Sequence, residues 1–232
     1  MVLRLALGVG CVPLAGLSAP AAAQRDTSTA PPVNTGALPI ASNAVARSLL
    51  VDVHSLDTTI VVDLRYATAH NFTGAPIAGY GANRAYLRRA PAEALVRVER
   101  QLLVQGLALK IFDAYRPVRA SEAMVAWTQR VGRPDLLRDG YIASHSRHNL
   151  GVTVDLTLVD RATGQQLDMG TPFDTFSPAA HTVNATGVAA LNRQRLRAAM
   201  VAQGFVPYDE EWWHFTYDVP HPLRFDMPIT PR

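Results

Sequence analysis

The run Val152-Thr153-Val154-Asp155-Leu156-Thr157-Leu158 alternates aliphatic and polar side chains without a break. A period of two is the pattern of a β-strand, with Val152, Val154, Leu156 and Leu158 on one face and Thr153, Asp155 and Thr157 on the other. Asp155 is the anomaly in this strand. An ionised carboxylate in so apolar a setting costs several kcal/mol unless something pairs with it. A metal ion is one such partner and an arginine is another; the strand by itself admits both.

Working outward, Thr59 to Tyr66 reads as a second strand, rich in β-branched residues. Pro91 opens a helix that runs to Gln105, with Leu95, Val98, Leu102 and Leu103 on one face and Gly106 to end it. Leu107 to Tyr115 is a strand stopped by Pro117, and a helix covers Ala120 to Arg130. Leu191 to Gln203 is an amphipathic, arginine-studded helix closed by Gly204, and Trp212 to Tyr217 is a final strand before Pro220 and Pro222. Strands interspersed with helices, without regular βαβ alternation, predict an α+β fold. The expectation is a single domain over residues 46–232, with a small, mostly antiparallel sheet flanked by helices.

Two segments precede that domain. Arg4, the apolar run Leu5 to Leu17 and the small residues Ala21-Ala22-Ala23 read as a secretory signal peptide over residues 1–23. The run is too short to span a membrane, and Gly8 disfavours a lipid anchor on Cys11, so an exported, periplasmic or secreted protein without a membrane anchor is expected. Residues 24–45 are rich in Thr, Ser, Ala and Pro and read as a flexible leader. Cys11 is the only cysteine, so the mature chain would hold no disulfide, no thiolate metal site and no cysteine nucleophile. A formal charge of +3, from 22 basic and 19 acidic residues scattered along the chain, gives no basic patch for nucleic acid.

Around Asp155 the chemistry-bearing residues gather into two groups. His148 precedes the strand across the turn Asn149-Leu150-Gly151, and Glu211-Trp212-Trp213-His214 supplies a carboxylate and a second histidine. Two histidines and an aspartate can hold zinc and leave a position for water, while a further glutamate moves protons. Glu211 and His214 share a face in a helix but point apart in a regular strand, so the chain there must be irregular. His145 rivals His148 as a ligand; His54, His70, His181 and His221 have no second ligand at useful spacing. Serine–lysine chemistry is excluded, because the sole lysine, Lys110, has Leu107 three residues before it.

Ser146-x-His148-x-x-Gly151-x-x-x-Asp155 together with Glu211-Trp212-Trp213-His214 resembles the zinc D-alanyl-D-alanine dipeptidases. Asp63 to Thr68, Asn71 to Gly74, Asp113-Ala114-Tyr115-Arg116-Pro117 and Met169 to Asp174 are similar to further blocks of that family, so the resemblance runs from about residue 50 to 220. It implies that His148, Asp155 and His214 hold one Zn2+ per chain on the sheet, that Glu211 is general base and acid, and that Arg116 stabilises the oxyanion. It also implies that Ser146, Tyr141 and Asp174 line a pocket for a small dipeptide, with Asp174 meeting its ammonium group. Leu150, Thr153 and His70 depart from the residues usual at those positions. A zinc carboxypeptidase or endopeptidase on peptidoglycan stems is the alternative reading, and a cell-wall-binding module that keeps the metal without turnover is a third.

Overall fold

The computed structural model describes Gly36 and residues 38–231. The signal-peptide segment 1–23 and most of the leader lie outside those residues. Where the leader does fall among them, the reading needs correction. Ile40–Ala41 form strand β1, which pairs in parallel with β9 (Arg224–Phe225), and helix α1 spans Asn43–Leu49. Ser42, which looks like linker in sequence, caps α1: its hydroxyl accepts from Val45 N at 3.3 Å, and Ala46 buries the inner face.

The central sheet has five strands in the order β3-β5-β6-β8-β7. β3 (Val61–Val62) runs parallel to β5 (Leu107–Asp113). β6 (Thr153–Asp160), β8 (His214–Tyr217) and β7 (Phe205–Pro207) continue the sheet with antiparallel pairings only. A smaller antiparallel pair joins β2 (Leu50–Asp52) to β4 (Tyr86–Arg88). Helix α2 (Arg89–Leu103) packs on β5 and on α5 (Gly187–Ala202), and α5 also covers β6 and β7. Helices α3 (Val118–Arg130) and α4 (Asp135–Arg138) follow β5 and touch each other. This is the expected α+β arrangement, with one parallel pairing in a mostly antiparallel sheet.

β6 is the middle of that sheet and is buried from Thr153 to Val159. Val154, Leu156 and Leu158 join the main core, and Thr153 Oγ1 sits 3.0 Å from Thr216 Oγ1 on β8. A threonine is therefore accommodated at this buried position by a cross-strand hydroxyl pair. The strand expected over Thr59 to Tyr66 shrinks to Val61–Val62. Asp57 Oδ1 accepts from Thr59 N and Oγ1 at 2.9 and 2.6 Å, which turns the chain before the strand. Asn83 then brackets the strand's end, accepting from Leu64 N at 2.7 Å and donating to Val62 O at 2.9 Å. Local side-chain bonds outcompete the β-branched run. Among the described residues, no helix is long and apolar enough to cross a membrane.

Candidate metal centre

The pairing of the sheet builds half of the site. Asp113 on β5 lies opposite Asp155 on β6, and Asp155 lies opposite His214 on β8. Residues directly opposed across strands share one face, so three neighbouring strands present a row of Asp, Asp and His. A bulge between Ile111 and Asp113 sets the first member of that row.

His148 reaches the row from a 3₁₀ turn, Arg147–Leu150, just before β6. Ser146 starts the turn by accepting from His148 N at 3.2 Å, and Gly151 ends it at φ 65°. The left-handed backbone angle favours glycine at 151, and a Cβ there, 2.5 Å from Leu50 Cδ2, would also make that side chain shift. His148 Nδ1 donates to the Ala114 carbonyl at 2.7 Å, which leaves the lone pair of Nε2 facing Asp155 Oδ2 at 3.3 Å. His214 turns Nδ1 toward Asp155 Oδ1 at 3.0 Å.

One ligand atom from each of His148, Asp155 and His214 lies within 4.8 Å of the others. His148 Nε2 and Asp155 Oδ1 are buried without a hydrogen-bond partner. Two orphaned acceptors side by side fit a bound cation, since an unpaired buried polar atom is otherwise costly. The donor set, two imidazoles and a carboxylate, suits zinc. Arg116 is not the principal partner of Asp155: its Nη2 stands 3.9 Å from Asp155 Oδ2 but 2.8 Å from Asp113 Oδ2. Burial alone would raise the Asp155 pKa, yet His148 and His214 beside it hold it well below the usual carboxylate range. Burial lowers that of His214, keeping its imidazole neutral and able to ligate.

Glu211 needs the expected irregularity. Trp212 and Trp213 form a turn rather than the start of the strand: Glu211 N donates to Tyr208 O at 3.2 Å, His214 N donates to Glu211 O at 3.1 Å, and β8 begins only at His214. The turn brings Glu211 Oε2 to 3.5 Å from His214 Nδ1, on the same side. Burial first, then the charges of Asp155 and Asp174, raises the Glu211 pKa well above the usual range. Both tryptophans are core residues, 2% and 1% exposed, so their role in this motif is packing.

Arg116 follows β5 and precedes Pro117, which caps α3. Its Nε donates to Asp113 Oδ2 at 2.9 Å and its guanidinium lies over the Tyr66 ring at 5.2 Å. Asp113 accepts from Tyr80 Oη at 2.6 Å, fixing the carboxylate that fixes the arginine. Asp174 adopts φ 59°, uncommon for a residue with a side chain, and accepts from Tyr66 Oη at 3.0 Å. Burial, with the Asp155 charge adding, pushes its carboxyl up to about 8.

All eight residues singled out in sequence (His148, Asp155, His214, Glu211, Arg116, Ser146, Tyr141 and Asp174) line one cavity of about 260 Å³. His145 also borders it but is exposed and lies outside the converging metal group. His54 instead bonds the Ile60 carbonyl at 2.8 Å. Tyr66 and Asp113 are the contributors that sequence reading did not single out. Asp113 carried a signal: like Asp155, it is a carboxylate in an apolar strand, here at the strand's end and three residues before an arginine. Tyr66 carried none of its own, because its partner lies 108 residues away.

Comparison with known proteins agrees with this geometry. The profile of the D-ala-D-ala dipeptidase family, peptidase M15, matches residues 47–223. A D-alanyl-D-alanine dipeptidase of Streptomyces coelicolor is 38% identical over 194 residues, covering 76% of this chain and 96% of the relative. One from Enterococcus faecium is 36% identical over 185 residues, covering 72% and 91%. One from Escherichia coli is 37% identical over 168 residues, covering 72% and 83%. A profile match across the whole catalytic core, on a chain that brings the expected ligands to one point, places this protein in the D-Ala-D-Ala dipeptidase family of zinc metallopeptidases.

Proposed function

We propose that this protein hydrolyses D-alanyl-D-alanine, or a closely related D,D-dipeptide, with one zinc ion per chain. The observation that carries the reading is the convergence of His148, Asp155 and His214 beside the buried carboxylate of Glu211 and the guanidinium of Arg116. His148 Nε2, the Asp155 carboxylate and His214 Nδ1 would hold the metal. When bound, zinc supplies Lewis acidity and a water whose pKa falls to about 7.

The remaining work belongs to the protein's side chains. Glu211 takes the proton of the attacking water on a carboxylate oxygen, then hands it to the amine that leaves. Its raised pKa suits both halves of that task, because a strongly acidic carboxylate would not hold the proton. Arg116, locked on Asp113, offers positive charge to the carbonyl oxygen as negative charge develops there, without reorganising. Asp174 receives the substrate ammonium, while Ser146 and Tyr141 shape the cavity wall. The relatives named D-alanyl-D-alanine dipeptidase favour a free dipeptide over a stem peptide as the ligand of this cavity.

The test is metal analysis of the purified protein, followed by a panel of D,D, L,D and L,L dipeptides and a stem pentapeptide. The zinc protein is expected to cleave free D,D-dipeptide and to leave the pentapeptide intact. Glu211→Ala is expected to lower turnover by about 10²–10⁴-fold with the metal retained; a loss of less than tenfold on every D,D-peptide rules out the assigned role. An exported location rests on residues 1–23, and fractionation of cells expressing the full chain checks it.

A further inference from the structure

Arg193, on α5, is 2% exposed and far from any role assigned above. Its three hydrogen bonds all go to main-chain carbonyls of one loop: Nε to Met169 O at 2.7 Å, Nη2 to Ala179 O at 3.0 Å and Nη1 to His181 O at 2.7 Å. A buried guanidinium is costly, and charge-assisted bonds to three carbonyls are what offset it. The acceptors stand at the two ends of the segment Met169–His181, so one side chain staples the loop across its base. Gly170, at φ 81°, lets the loop approach; a Cβ there would lie 3.4 Å from Arg193 Nη2 and 3.1 Å from Ala189 Cβ.

Asp174 lies inside the stapled segment with its positive φ. A non-glycine residue in that region is held there only where its surroundings over-determine it. The same loop is tied to the turn that carries Glu211. Trp212 N donates to Ala180 O at 3.1 Å, Trp212 Nε1 donates to Thr171 Oγ1 at 2.9 Å, and the Arg193 guanidinium sits 5.8 Å from the Trp212 ring.

We propose that Arg193 is a positioning residue that, with Trp212, staples the Met169–His181 loop to the Glu211 turn and thereby sets the preference for a substrate with a free ammonium group. The proposal rests on the reading that Asp174 meets that ammonium. Arg193 touches no substrate; it holds the loop that carries Asp174 against the turn that carries Glu211.

Two measurements on the zinc-loaded full chain test it, in Arg193→Lys and in the milder Thr171→Val, which removes the Trp212 acceptor and leaves the arginine. In Arg193→Lys, amides of the Met169–His181 loop are expected to exchange with solvent about tenfold faster or more, with β5 and β6 unchanged. KM for D-Ala-D-Ala is expected to rise about tenfold with kcat within about threefold, while the inhibition constant of N-acetyl-D-Ala-D-Ala moves less than about twofold. Thr171→Val is expected to shift both readouts the same way by less, and it decides by the same criteria should Arg193→Lys not fold. Unchanged loop exchange, or KM and the N-acetyl constant rising together, overturns the proposal. Asp174→Asn separates the two readings. If it leaves the ratio of KM to the N-acetyl constant unchanged, the ammonium reading fails and takes the proposal with it. If Asp174→Asn raises that ratio and Arg193→Lys does not, the Arg193 assignment alone fails.

Discussion

The two sides of the cavity are made in different ways. On the metal side, Asp113, Asp155 and His214 stand on adjacent strands, and the sheet pairing alone lines them up. On the substrate side, Asp174 stands in an irregular loop at φ 59°, kept in place by Tyr66 and by the loop's own anchors. Main-chain pairing is cooperative and spreads any local damage over a whole ladder. A loop has only the few bonds that tie it down. The metal side should therefore fail by losing chemistry while the fold survives, and the substrate side by losing grip on the dipeptide.

The largest expected effect tests the metal side. Asp155→Ala removes the central member of the proposed ligand set, and turnover is expected to fall by at least about 10³-fold as the metal is lost. Metal content measured beside turnover checks this; full metal retention in the variant would remove Asp155 from the ligand set. Next comes Asp113→Asn, which weakens the hold on Arg116 and Tyr80 and keeps His148, Asp155 and His214 in place. A fall in kcat of about 10–100-fold is expected, with zinc still bound. If kcat stays unchanged, Arg116 does not depend on Asp113 for its placement.

The substrate side is tested by pH. In the metal-free protein the Asp174 carboxyl is raised from 3.8 to about 8 by burial and the nearby Asp155 charge. The folded state therefore binds more protons than the unfolded chain within that window, and stability falls as pH rises through it. Asp174→Asn removes this contribution. Its apo form is expected to be more stable than the unsubstituted apo protein at pH 8, by about 1 kcal/mol or more, with the gap closing toward pH 4. Thermal unfolding at the two pH values reads the difference, and a gap that widens toward acid would reverse the sign assigned to Asp174. The smallest effect concerns the sheet itself. Thr153→Val breaks the hydroxyl pair with Thr216. It is expected to cost about 1 kcal/mol of stability and leave turnover within about twofold, because the pair supports β6 and β8 below the site.

The alternation around Asp155 announced β6, and the wrong spacing of Glu211 and His214 for a regular strand announced the turn that the structure shows. Where reading fell short, local side-chain bonds decided the outcome. Asp57 and Asn83 cut the strand expected from Thr59 to Tyr66 down to two residues, and Ser42 turned the end of an apparent leader into a helix start. Asp113 was visible as a carboxylate ending an apolar strand, but its use as an anchor for Arg116 needed the three-dimensional neighbourhood.

By itself the sequence determined the α+β class, offered the two histidines, the aspartate and the glutamate that the fold gathers, and excluded a serine–lysine pair through its single lysine. These follow from residue identity and from periods of a few residues, which local chain geometry makes legible. Only the tertiary structure decided that His148 Nδ1 is taken by the Ala114 carbonyl, so that Nε2 faces the metal point. It alone decided that Arg116 belongs to Asp113 rather than to Asp155, and that Arg193 grips the loop bearing Asp174. Those choices depend on distances between segments remote in the chain, and a pattern along one strand or helix does not carry such distances.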